Sequence, residues 1–306
     1  MDITNKNFLI VNSDFYNYTE HFAHALEYYY WSIDKILSSE NYNYIIGIRE
    51  KHSVGKNFIS NFINNIKQHF PKIQFLEENN LCPPENQELS VEIFRRECFY
   101  KNVEIITPTI NTENKKDKIK LQKWFLDPNT PKLLRTALCG QDKFREIPTI
   151  GLINRKNTRK LINSKAIIDN IKKMGFNVEE VFFEDKSFEF QINFCNTHDI
   201  IISPHGANLC STPFMQDYSL VMEIANGEWI PYNYYAGLSI SSNKSHCILC
   251  ENHPFPKWQT NTSCKQQKLD IFIEPKKVIN TIKEFLVYRS KIYKESSPDK
   301  VLFQLR

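Results

Sequence analysis

Short apolar runs recur along the chain with amphipathic helical patterns between them. In the first 110 residues the pattern predicts strands at 8–11, 44–48, 73–76, 91–94 and 103–106, with helices over about 19–37 and 54–70. Alternation of this kind indicates an α/β domain. From Thr107 to Lys120 the sequence turns polar and charged and reads as a surface loop, followed by helical segments at 119–125 and 131–138. The best domain boundary falls near Gly140.

In the second half, β-rich runs return at 149–153, 178–183, 199–203, 220–225 and 246–249, each gap having room for a helix. The helix over 164–174 should close at Gly175, and Ser187 should cap the helix over 188–196. Ile200-Ile201-Ile202 and Leu220-Val221-Met222 are continuously apolar, as parallel strands covered on both faces by helices should be. The pattern is doubly wound and Rossmann-like. No internal repeat is evident, and an amphipathic helix over 275–293 closes the chain.

The length of 306 residues suits two domains, and a hydrophobic content of 41% is enough for two cores. The 39 Lys and Arg against 35 Asp and Glu leave +4, spread along the chain, which argues against a dedicated nucleic-acid binder. No apolar stretch approaches the ~20 residues of a spanning helix. The N-terminus shows no secretory signal, so the expected compartment is the cytoplasm. Eight scattered cysteines then read as reduced thiols, and the sequons at Asn17 and Asn261 as unmodified. Lys far outnumbers Arg, and Asn and Ile are abundant, a bias that suits an AT-rich genome.

Open parallel sheets bind ligands beyond the carboxyl ends of their strands, so polar residues there are the candidates. Ser203-Pro204-His205-Gly206-Ala207-Asn208 follows a buried strand and precedes a helix, whose amides favour an anion such as phosphate. Arg155 and Arg159, after the strand ending at Ile153, can each fork two phosphate oxygens. Glu223 sits in a buried strand, where a carboxylate needs a partner. It either binds a ribose diol or pairs with a neighbouring element. For each cluster the alternative is structural: a hydrogen-bonding His, a solvated basic helix start, an internal ion pair. His246-Cys247-Ile248-Leu249-Cys250, with His253 and Cys264 further on, has zinc-ligand residue types, but its apolar centre reads as a strand.

Taken together, these residues resemble glycosyltransferase family 61. The similarity is carried by Asp199 through Leu209, with His205-Gly206-Ala207, then Phe214-Met215 and Val221-Met222-Glu223-Ile224. Arg155 and Arg159 with Ile162 and Asn163, Phe188 with Gln191, and Tyr234 with Leu238 add to it. Before residue 147 only Asn17-Tyr18 and His21-Phe22 are similar. Asn208 stands where a Gly is usual, and Phe190 where a Glu is common.

The resemblance implies a GT-B fold, two Rossmann-like doubly wound domains facing a cleft: an acceptor-side domain over 1–140, a nucleotide-sugar-binding domain over 141–274, and a helix over 275–306 returning to the N-terminal domain. It implies transfer of a sugar, with inversion, from a UDP-sugar such as UDP-N-acetylglucosamine or UDP-xylose to a glycan or glycoprotein acceptor. Arg155, Arg159, His205, Gly206, Ala207, Asn208 and Glu223 would hold the donor, and His21 would be the catalytic base, with Asp14 and Glu20 in reserve. The chain has no Asp-x-Asp sequence, so metal independence is expected. The rivals are a polysaccharide pyruvyltransferase-like enzyme using phosphoenolpyruvate, and a non-catalytic nucleotide-sugar-binding protein on the same scaffold.

Overall fold

The computed structural model describes residues 8–12, 22–38, 44–48, 56–77, 90–94, 100–105, 117–122, 124–141, 145–226, 234–251 and 268–295. Two parallel sheets organise these residues. The first contains β1 (Phe8–Asn12), β2 (Tyr44–Ile48), β3 (Gln74–Glu77) and β4 (Ser90–Phe94) in the order β3-β2-β1-β4. This is the arrangement of half of a doubly wound sheet. Helices α1 (Phe22–Ser38) and α2 (Lys56–His69) belong to it. Every residue of α1 from Ala25 to Asp34 is buried, as befits a helix covered all round.

The next two strands, β5 (Tyr100–Ile105) and β6 (Asp117–Gln122), pair with each other antiparallel, Val103 opposite Ile119. The sequence reading placed loop and helix over 117–122. Asp-Lys-Ile-Lys-Leu-Gln instead alternates with period 2, which suits a two-stranded ribbon and not a helix. Helix α3 (Asn129–Cys139) follows and is tied to the second half of the chain. Its fully buried Arg135 donates to Met215 O at 2.9 Å and pairs with Asp217 at 3.1 Å.

The second sheet contains β7 (Ile150–Asn154), β8 (Val178–Phe182), β9 (Ile200–Pro204), β10 (Leu220–Ile224) and β11 (Ser245–Leu249), all parallel, in the order β11-β10-β9-β7-β8. The strand order reverses at β7, whose neighbours are β8 and β9, so the crevice between the β7 and β9 carboxyl ends is the topological switch point. Helices α4 (Ser164–Lys173), α5 (Phe188–Thr197) and α6 (Tyr234–Ser241) connect the strands. The Ser187 hydroxyl caps α5 by accepting from Phe190 N at 3.2 Å, and Gly175 ends α4 with φ +86°. After β9 the backbone forms a 3-10 helix, Ala207–Phe214, where the sequence suggested an ordinary one.

One core cluster joins the halves. Tyr30 of α1 donates to Cys210 O at 2.9 Å, and Phe58 of α2 meets Phe188 of α5 edge-on at 4.8 Å. The closing helix, α7 (Pro275–Glu295), was expected to return to the N-terminal domain. Its described side chains Val278, Ile282 and Phe285 pack instead with Ile150, Leu152, Ile167 and Ile171 under the second sheet, because that face of β7 and β9 is apolar. Among the described residues no helix is long and apolar enough to cross a membrane. Cys139, Cys195, Cys210, Cys247 and Cys250 are free thiols.

Candidate active site

Asn154, the last residue of β7, builds the arginine turn. Its Oδ1 accepts from Arg155 N at 2.8 Å and Leu161 N at 2.9 Å, while Nδ2 donates to Leu161 O at 3.2 Å and Glu180 Oε1 at 3.0 Å. One buried amide thus closes residues 155–160 into a loop at the strand end. Arg159 has φ +58° there, one of three positive-φ residues other than glycine among the described residues. A left-handed side chain costs about 1–2 kcal/mol, and such strain gathers at functional sites.

From β9 the chain contributes His205, Gly206, Ala207 and Asn208. Arg155 Nη1 donates to His205 O at 3.2 Å across the switch point. Gly206 has φ +159°, and a Cβ there would overlap the Arg155 guanidinium, so glycine lets the arginine lie on the backbone. The first bonded amide of the 3-10 helix is that of Leu209, to Gly206 O at 3.0 Å, which leaves Ala207 and Asn208 ahead of it. The Asn208 side chain donates through Nδ2 to Ser203 Oγ at 3.3 Å.

The two guanidiniums are brought together, with Glu184 acting on Arg155 and Glu223 on Arg159 as the nearby carboxylates. Burial, then repulsion by Arg155, lowers Arg159 to about 10, still charged at neutral pH. Burial also lowers Arg155, whose Nε is buried with no hydrogen-bond partner among the described residues. Two guanidiniums at one strand end favour an anion.

Glu223 sits differently from its reading as a ribose ligand. It is 0% exposed, and both oxygens are taken: Oε1 by a short hydrogen bond from His205 Nδ1, Oε2 by His246 Nε2 at 3.0 Å. The carboxylate therefore serves the imidazoles. Burial would raise its pKa, but the charge and hydrogen bond of His205, with those of His246, hold it below the ordinary range. Ser239 Oγ lies 2.9 Å from His246 Nδ1, completing a buried chain from α6 to β9.

Sequence reasoning missed two contributors. His246 was read with the cysteines beside it, although its place on β11, parallel to β10, gives it to Glu223. Tyr235 packs its ring 5.0 Å from His205 and is buried, and the adjoining Tyr234 donates to Glu27 Oε2 of α1 at 3.1 Å. The Tyr234-Tyr235 pair opening the small-residue helix α6 was the available signal. The expected zinc-type residues Cys247 and Cys250 lie on and just after β11, while His253 and Cys264 are outside the described residues. So are His21, Asp14 and Glu20, the acceptor-side candidates, which fall in the link 13–21 between β1 and α1.

Two parallel sheets, with arginines at the switch point of the second and a buried imidazole–carboxylate pair behind them, have the layout in which open α/β sheets place their ligand sites. The family model described as Glycosyltransferase 61 matches residues 9–222, about 70% of the chain, and the chain belongs to this family. It is 29% identical over 93 residues to the beta-1,2-xylosyltransferase XAX1 of Oryza sativa subsp. japonica, a stretch covering 29% of this chain and 16% of the rice protein. Among solved structures, the bacterial iron-containing dodecameric glycosyltransferase TibC from enterotoxigenic E. coli H10407 aligns with 94% of this chain and 77% of its own, at 12% identity and a TM-score of 0.41.

Proposed function

We propose that the chain transfers a sugar from a nucleotide-sugar donor, a UDP-sugar, to a glycan or glycoprotein acceptor, as a GT-B-type inverting enzyme. The observation that carries this reading is the pair of mutually repelling, half-buried guanidiniums at the β7–β9 switch point. In it Arg155 and Arg159, with the amides following Gly206, hold the diphosphate and offset the charge that grows on it as the sugar leaves. Ala207 and Asn208 supply these amides, and Gly206 lets Arg155 lie against the same backbone. The name of the rice relative makes UDP-xylose the first donor to try.

The test is calorimetric titration with UDP, phosphoenolpyruvate and GDP, on the wild type and on Arg159→Ala. The reading expects UDP binding that weakens at least tenfold in the variant and is unchanged by EDTA. Binding of phosphoenolpyruvate without UDP would replace it by pyruvyl transfer. UDP binding with no turnover of any UDP-sugar would leave a binding protein.

A further inference from the structure

A carboxylate only accepts hydrogen bonds, so both imidazoles on Glu223 must offer it an N–H. For His205 that nitrogen is Nδ1, and in the neutral ring the other nitrogen, Nε2, is then a proton acceptor. His246 does the same from the opposite side through Nε2, with Ser239 on its remaining nitrogen. All four side chains are buried, His205 being the most exposed at 7%. The chain Ser239–His246–Glu223–His205 thus brings to the switch point an imidazole whose tautomer is fixed.

We propose that His205 is the base that takes the proton from the attacking acceptor hydroxyl, with Glu223 and His246 as its positioning residues. The proposal rests on the sugar-transfer reading above. The acceptor oxygen forms a bond to the anomeric carbon as its proton passes to His205 Nε2. The bond from that carbon to the diphosphate oxygen breaks, its electron pair leaves with the diphosphate, and Arg155 and Arg159 face the resulting charge. Glu223 stays ionised and stabilises the imidazolium that forms. A carboxylate–imidazole pair of this kind is a general means of activating a hydroxyl.

The surroundings keep the ring neutral before reaction. Burial lowers the His205 pKa, Glu223 from β10 raises it, and Arg159 and Arg155 from the β7 turn lower it again, for a net decrease. Tyr235 from α6 packs on the ring, and His246 from β11 reaches it only through Glu223. A neutral imidazole is a poor donor to phosphate and a good acceptor from a hydroxyl.

Two measurements on the full chain test this. The first is the ¹⁵N spectrum of the histidine rings at pH 7.5. The proposal expects His205 as the Nδ1–H tautomer, and the reverse tautomer or a doubly protonated ring would overturn it. The second compares UDP affinity with turnover of UDP-xylose, water serving as acceptor. His205→Gln should lose at least a hundredfold in turnover and its acid limb in the pH profile, while UDP affinity changes less than about threefold. His246→Gln, which keeps a donor to Glu223, should retain more turnover than His246→Leu. Loss of UDP affinity in His205→Gln with turnover otherwise intact would make the ring a phosphate ligand and overturn the base role. Full turnover in His205→Gln with loss in His21→Ala would move the base to the link after β1. Failure of the wild type to bind UDP, or to turn over UDP-xylose when UDP binds, would remove the transfer reading and this proposal with it.

Discussion

The second sheet carries a buried charge cluster at each end, and the two are built on opposite plans. At the amino ends of β7 and β9, Asp199 meets its cations directly: Arg289 at 3.0 Å and Arg145 at 3.6 Å. Its other oxygen accepts from the Thr149 amide and hydroxyl. At the carboxyl ends the residue types are similar, but Glu223 spends both oxygens on histidines and the two arginines crowd each other. The first cluster sets a carboxylate directly against its two guanidiniums and holds α7 to the sheet. In the second the carboxylate is given to imidazoles, and the proposed diphosphate would meet the arginines.

The largest expected difference is in stability. Asp199→Ala leaves the buried Arg289 and the partly exposed Arg145 without their carboxylate and should cost about 3–5 kcal/mol in chemical denaturation. Arg159→Ala, at the other end, should change stability by less than about 1 kcal/mol, because it relieves repulsion as it removes contacts. A comparable loss in both variants would erase the distinction. In ligand binding the order reverses: Arg159→Ala should weaken UDP binding about ten- to hundredfold, a charge-assisted hydrogen bond being worth about 1.5–3 kcal/mol. Conservative replacement of Arg145 should leave UDP binding unchanged.

Gly206→Ala sharpens the comparison by moving an arginine without deleting it. The added methyl group displaces the Arg155 guanidinium, a flexible chain end, so UDP affinity should fall about tenfold while the melting temperature changes little. The smallest effect is on pH dependence. His205 and His198 have folded-state pKa values depressed below their ordinary 6.5, so stability is lost as pH falls below about 6.5 and these rings must charge. Glu223, also depressed, contributes stability above its ordinary 4.5 that is lost as pH falls further toward its folded value. Denaturation midpoints across this range should show both losses, and Glu223→Gln should lack the second.

The strands of the second sheet were legible because β7, β9 and β10 are buried on both faces and therefore read as unbroken apolar runs. The arginine turn and the segment from His205 to Asn208 were legible for a related reason, since polar residues directly after such runs have to lie at a strand end. Glu223 could be recognised as needing a partner, but not given one. Its partners lie 18 and 23 residues away along the chain, and only the parallel register of β10 and β11 brings His246 to it. The ribbon strand β6 was obscured because its alternation is short, with Ile119 and Leu121 its two apolar positions in a charged stretch. The docking of α7 was misplaced because an amphipathic helix declares that it has a buried face and not which sheet covers it.

The most direct measurement is a crystal structure of the protein soaked with UDP. The account predicts a diphosphate at the β7–β9 carboxyl ends, with oxygens in hydrogen-bond reach of both Arg155 and Arg159 and of the amides after Gly206. A nucleotide bound at the Asp199 end of the sheet, or one whose phosphates touch neither Arg155 nor Arg159, would contradict it.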